Sequence, residues 1–118
     1  MPKGIFLALA NPVSDDVEDE FNAWYDASHA REVIALPGVN SCTRYVLADG
    51  QLMPGDDAMG YRYLALYEVD VDDWADFSKH MQEGFAAGTI TIDANLLSMD
   101  PMVKTIVFEQ LGKKIERA

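Results

Sequence analysis

One histidine stands among aromatic residues at helical spacing, in the stretch FNAWYDASHAREVIALPGV: Trp24, Tyr25 and His29. Imidazole takes up and returns protons near neutral pH, so His29 is the candidate general base or acid. Tyr25, one turn earlier, can bring a hydroxyl beside it. At α-helical pitch His29 lies about 40° beyond Tyr25 around the axis. That is the rim of the apolar stripe, where helix, sheet and loop can enclose a cleft. The competing arrangement is a half-exposed histidine bonded to a loop carbonyl, with no chemistry. Trp24, at the centre of the stripe, can be core or pocket wall.

Tyr45, Tyr61, Tyr63 and Tyr67 form a second group. Tyrosines on one sheet face give apolar walls with hydroxyl donors, suited to orienting an aromatic or phenolic ligand; packing between sheets is the alternative. Arg44 and Arg62 could present a cation to a carboxylate, enolate or phenolate. Arg44 and Tyr45 are neighbours on a strand and so point to opposite faces, which favours an ion pair for Arg44. His80 falls away from the apolar side of its helix, in solvent. Two histidines on different surfaces and one cysteine make a poor metal-ligand set, and His29 with Glu32 supplies only two ligands. No Gly-rich nucleotide loop is present, so the expectation is no metal and no cofactor. Cys42, in mid-strand, reads as a small buried hydrophobe.

These residues need elements to hold them. Ile5 to Ala10 is an apolar run of strand type, ended by Asn11-Pro12. Ser14 or Asp15 can cap a helix, Asp15 with Glu18 as capping box, that runs to about Leu36 and stops at Pro37-Gly38. Its apolar side carries Val17, Phe21, Trp24, Tyr25 and Ser28. Strands are predicted at Val39 to Leu47, Tyr61 to Val69 and Val103 to Gln110. A second helix is predicted at Asp72 to Phe85, with Trp74, Phe77, Met81 and Phe85 on one side. Residues 88–102 read as an irregular covering loop. The order β-α-β-β-α-β specifies an α+β, ferredoxin-like fold with a four-stranded antiparallel sheet.

The strands are apolar on both faces. Tyr61, Tyr63, Ala65, Tyr67 and Val69 alternate with Leu64 and Leu66, and Val103 and Val107 with Ile106 and Phe108. Two helices cover one face only, so the other calls for a second subunit: a homodimer with sheets packed into an α+β barrel. A monomer with an open, greasy face is the alternative.

The bulk numbers bound the function. At 118 residues, 49% hydrophobic and 25% charged, residues 1–118 make one globular domain. A net charge of −11, from 20 acidic and 9 basic residues, repels phosphate backbones and anionic membranes. No apolar run approaches the roughly 20 residues that cross a bilayer. MPKGIFLALANPVS reads as a strand rather than a secretory segment, and one cysteine suggests a reducing cytoplasm.

The segment Phe21 to Val39 resembles the EthD-like branch of the dimeric α+β barrel proteins. Its pattern is matched by Trp24 and Tyr25, His29 four residues after the tyrosine, then Leu36, Pro37, Gly38 and Val39, and by Arg44-Tyr45 in the next strand. Arg31 departs from it, standing where relatives often have proline. The motif covers about a fifth of the chain, and the element order nearly all of it. The resemblance implies the fold and the dimer; the wider group includes cofactor-free monooxygenases, isomerases, cyclases, lyases and, in separate branches, haem enzymes. The expectation is a cofactor-independent enzyme acting on a small apolar, aromatic or phenolic metabolite by lyase, isomerase or cyclase chemistry. In it His29 and Tyr25 are catalytic, and Trp24, Tyr45, Tyr61, Tyr63, Tyr67 and Arg44 contact substrate. A cofactor-free monooxygenase and a non-catalytic ligand-binding protein are the alternatives.

Overall fold

The apolar run near the start of the chain becomes strand β1 (Lys3–Ala10), an inner strand of a four-stranded antiparallel sheet. With β2 (Val39–Val46), β3 (Tyr63–Asp70) and β4 (Lys104–Glu109), the spatial order is β2-β3-β1-β4. This is the ferredoxin-like arrangement expected from the element order. The computed structural model describes residues 3–55 and 57–118, so Asp56 of the acidic pair Asp56-Asp57 lies outside the described residues.

Register fixes which side chains meet. Phe6 pairs with Tyr67 and Val107, Ala8 with Ala65 and Thr105, and Ala65 with Arg44. With the two-residue period of a strand, Phe6, Ala8, Cys42, Arg44, Tyr63, Ala65, Tyr67, Thr105 and Val107 share the helix-covered face. Ile5, Leu7, Leu9, Tyr45, Leu64, Leu66, Ile106 and Phe108 share the other, which no element covers among the described residues. The core lies between the first face and the helices and centres on Phe6, Phe21, Tyr25, Val33, Tyr67, Phe77 and Ile90. Each such large side chain, fully buried, contributes about 1.5–3 kcal/mol.

The first helical segment differs from the uniform helix expected. It runs as a 3₁₀ turn (Asp15–Val17), α1 (Glu18–Trp24), a π turn (Tyr25–His29) and α2 (Ala30–Ile34). Ser14 stands at its N-cap without a side-chain capping bond. The Asp15–Glu18 capping box does not form, because both carboxylates are drawn to the Arg62 guanidinium at 3.1 and 2.8 Å. Ser28, placed on the apolar side by α-helical spacing, is exposed.

Helix α3 (Trp74–Ala87) is capped by Asp73, whose carboxylate accepts from the Ala75 amide at 2.9 Å. Phe77 packs edge-on against Phe6, at 5.5 Å between ring centres. Gly88 ends the helix in the left-handed region with φ of 76°, which glycine adopts without strain. Gly84, one turn earlier, leaves room for Ile90: a Cβ there would stand 2.6 Å from its Cδ1. These two glycines let the chain fold back so that Ile90, Leu96 and Leu97 enter the core. The segment read as a covering loop is therefore anchored in the core at three points.

Candidate functional site

The π turn places the histidine. The Ala30 amide bonds to the Tyr25 carbonyl, five residues back, so Tyr25 to His29 form a wider turn than an α-helix allows. The extra residue carries His29 back over Tyr25 instead of past it. The imidazole is thus buried at 8% exposure, not half-exposed as in the competing arrangement. It stacks on Trp24 with ring centres 5.1 Å apart and meets Tyr25 edge-on at 5.0 Å.

His29 Nδ1 lies 2.8 Å from the Thr91 carbonyl oxygen. A carbonyl only accepts, so Nδ1 carries the hydrogen and Nε2 is left as the bare, proton-accepting nitrogen. The loop-carbonyl bond of the competing arrangement is thus present, but on a buried ring whose tautomer it fixes. Burial lowers the His29 pKa below its ordinary value and outweighs the Thr91 bond and the Glu32 charge, which raise it. The Arg44 charge lowers it further. The ring is neutral at pH 7.

His29 lines a cavity of about 220 Å³ between the sheet, the first helix, α3 and the loop. Phe6, Ala8 and Thr105 contribute from the sheet, Val33 and Met81 from the helices, and Leu97, Met99 and Met102 from the loop. Phe85, Ile92, Met99 and Met102 are partly exposed and form an apolar mouth. No lysine, arginine or carboxylate lines it among the described residues. The polar and hydroxyl-bearing residues of its lining are His29, Tyr25, Tyr67 and Thr105.

Tyr67 is the unusual one. Its hydroxyl oxygen is shut off from solvent and has no hydrogen-bond partner among the described residues. The Tyr25 hydroxyl and the Cys42 thiol stand close enough to influence its titration as hydrogen-bonding neighbours, but neither meets strict hydrogen-bond geometry. A buried hydroxyl without a partner costs about 1–3 kcal/mol. Burial pushes the Tyr25 pKa up to about 12 and raises that of Tyr67 as well, so both phenols stay protonated.

Of the residues singled out in the sequence, His29, Tyr25 and Tyr67 meet at this cavity, and Trp24 backs the imidazole. The others are elsewhere. Arg44 lies behind Tyr25, its guanidinium 4.3 Å from the ring centre, bonded to Asp26 and Asn22 at 3.1 and 3.0 Å. The ion pair favoured by strand parity is formed. Tyr63 donates its hydroxyl to Glu18 and accepts from Asn22 at 3.2 Å. Tyr61 donates to the Met102 carbonyl, holding the loop from the far side. Tyr45 is on the opposite sheet face, half-exposed. The tyrosines therefore do not form one lining, because Tyr45 has the opposite strand parity and Tyr61 precedes β3.

Thr91, Ile92, Leu97, Met99 and Met102 were missed by sequence reasoning. They sit in a segment without helical or strand period, but its length alone was a signal: a long irregular connection in a small domain often builds a site. Among the described residues no group of three or more His, Cys, Asp or Glu could hold a metal ion. Among the same residues no helix is long and apolar enough to cross a membrane.

No family model matches the chain, and neither does any curated protein. Among solved structures it is similar to HapK from Hahella chejuensis, at 17% identity and a TM-score of 0.63, over 98% of this chain and 99% of that one. It is similar to an ethyl tert-butyl ether D (EthD) family protein from Bacillus halodurans, at 16% identity and a TM-score of 0.58, over 94% and 100%. A DABB family protein with a ferredoxin-like fold from Mesorhizobium loti matches at 13% identity and a TM-score of 0.59, over 95% and 100%. These likenesses, an EthD family protein among them, show the ferredoxin-like fold over nearly the whole chain.

Proposed function

We propose that the cavity binds a small, uncharged, largely apolar molecule, aromatic or phenolic, and that neutral His29 exchanges a proton with it through Nε2. The observation that carries this reading is the His29–Thr91 bond, which leaves a bare imidazole nitrogen within an apolar enclosure. Nε2 removes a proton from an acidic O–H or C–H of the bound molecule. The Tyr67 hydroxyl, still protonated but closed off in the empty protein, turns toward the ligand on binding and donates to the oxygen on which negative charge develops. The imidazolium then returns the proton at a second position or to a leaving group, which is cofactor-independent isomerase, cyclase or lyase chemistry. A charged substrate fits poorly, since the cavity offers it no counter-ion. Binding without turnover is the second reading, supported by the neutral carbonyl behind His29, a weaker support for an imidazolium than a carboxylate.

The test is binding and turnover of small phenols and enolisable ketones by the wild type and by His29→Gln. Loss of turnover with binding kept within about threefold supports proton transfer. Binding without turnover by the wild type supports the second reading, and unchanged turnover in the variant overturns the first.

We further infer that the open sheet face is covered by a second copy of the chain. Ile5, Leu7, Leu9, Leu64, Leu66, Ile106 and Phe108 make a continuous apolar surface that a lone chain would leave in water. Light scattering should give twice the 13.1 kDa chain mass.

A further inference from the structure

We propose that Glu32 is a positioning residue for His29, acting through Thr91: it grips the loop residue whose carbonyl sets the imidazole tautomer. This rests on the reading of His29 as the proton carrier. Glu32 stands one turn after His29, on α2. Its Oε1 accepts from the Thr91 amide at 2.9 Å, and the Thr91 hydroxyl lies 3.0 Å from both carboxylate oxygens. The carbonyl of that same residue accepts from His29 Nδ1. Loop and helix are therefore joined through one residue, held at its amide and hydroxyl by Glu32 and at its carbonyl by His29.

Two consequences follow from the geometry. First, Thr91 joins the buried Ile90 to Ile92 at the cavity mouth, so the clasp holds the cavity wall closed as well as orienting the ring. Second, Glu32 Oε1 is 3.9 Å from His29 Nδ1. A carboxylate there stabilises the positive charge that appears when Nε2 takes a proton. Arg44 opposes that charge from the sheet side, while Trp24 and Tyr25 contribute uncharged rings. Among the described residues, Glu32 is thus the acidic group that favours the imidazolium.

The experiment needs no substrate. Long-range ¹H–¹⁵N NMR of the imidazole and amide hydrogen exchange are compared in the wild type, Glu32→Ala, Glu32→Gln and Thr91→Val. The wild type should have a protonated Nδ1 and a bare Nε2. Glu32→Ala should turn His29 into a mixture of tautomers and speed exchange at Thr91 about tenfold or more. Thr91→Val keeps amide and carbonyl and should retain the wild-type tautomer. Glu32→Gln keeps one acceptor for the amide but loses the charge, so it should hold the tautomer while lowering the His29 pKa. If Glu32→Ala does not fold, Glu32→Gln decides through that pKa, which a purely structural contact would not move. A wild-type tautomer and exchange within twofold in Glu32→Ala, or an unchanged pKa in Glu32→Gln, overturns the proposal. Failure of the proposed chemistry would appear separately, as unchanged turnover in His29→Gln with the clasp intact.

Discussion

The two faces of one sheet are both apolar, yet they are finished differently. On the covered face, Phe6, Ala8, Ala65 and Tyr67 are buried at 5% exposure or less beneath the chain's own helices and loop. The packing there leaves an enclosed cavity whose lining includes His29 and Tyr67. On the open face, Leu7, Leu9, Leu64 and Leu66 are only half-buried, and Tyr45 and Phe108 are about half exposed. The groove there, about 470 Å³ and lined by Ile5, Glu68, Asp70, Phe108 and Glu109, is larger but shallow and has no histidine. Volume alone would choose it; enclosure and chemistry choose the smaller cavity. In the function proposed above, one face holds a molecule and the other meets a surface.

Substitutions that separate the two faces should have unequal effects. On the covered face, His29→Gln should reduce turnover by about 10² to 10⁴ with fold and assembly intact. His80→Gln, on α3 and outside the cavity lining, is the control and should change it little. Steady-state kinetics beside thermal melts check both. On the open face, Leu66→Asp should weaken self-association by about 100-fold or more, because an unpaired carboxylate would be trapped between apolar sheets. Sedimentation across a dilution series measures this, and cavity ligands should still bind. If Leu66→Asp abolishes binding while leaving the protein folded, the faces are not independent.

A smaller effect is expected from Tyr67→Phe. Removing a buried hydroxyl that has no partner should leave the empty protein as stable or about 1 kcal/mol more so, while phenol binding weakens several-fold. Chemical denaturation and calorimetric titration give the two numbers. Weaker stability with unchanged binding would mean that the hydroxyl has a role in the fold rather than with a ligand.

The smallest effect is in pH. His29 has a folded-state pKa below its unfolded value of about 6.5. The unfolded chain therefore binds the proton more readily, and this contribution to stability is complete above about pH 6.5 and lost as pH falls toward the folded value. Denaturation midpoints between pH 7 and pH 5 should decline in the wild type, and less steeply in His29→Gln.

The fold was legible because its signals are local and consistent. The apolar run at Ile5, the Pro37-Gly38 stop and the strand-type run Tyr61 to Val69 each mark an element or its end. The candidate site was legible only in part. His29 and Tyr25 were found, but α-helical spacing put the imidazole at the rim, because nothing in YDASH announces a π turn. Trp24, read as the centre of the stripe, is half-buried, whereas Tyr25 is the deeper of the two at 2% exposure. The tyrosines were grouped by type, whereas strand parity, already sufficient to separate Arg44 from Tyr45, also puts Tyr45 opposite Tyr67. Thr91 and the loop methionines were out of reach, since contacts between residues 59 to 62 positions apart leave no period to detect.

The central claim is that a bare His29 Nε2 faces a ligand within the covered cavity, and titrating the protein with phenol while recording the imidazole ¹⁵N resonances tests it most directly. The account predicts that the His29 Nε2 resonance moves with phenol concentration while Nδ1 keeps its hydrogen. Shifts at the amides of Tyr67 and Leu97 should follow the same isotherm, with Tyr45 and Leu66 unmoved. Phenol-dependent shifts confined to the open face, or a His29 whose Nε2 carries the hydrogen before phenol is added, would contradict it.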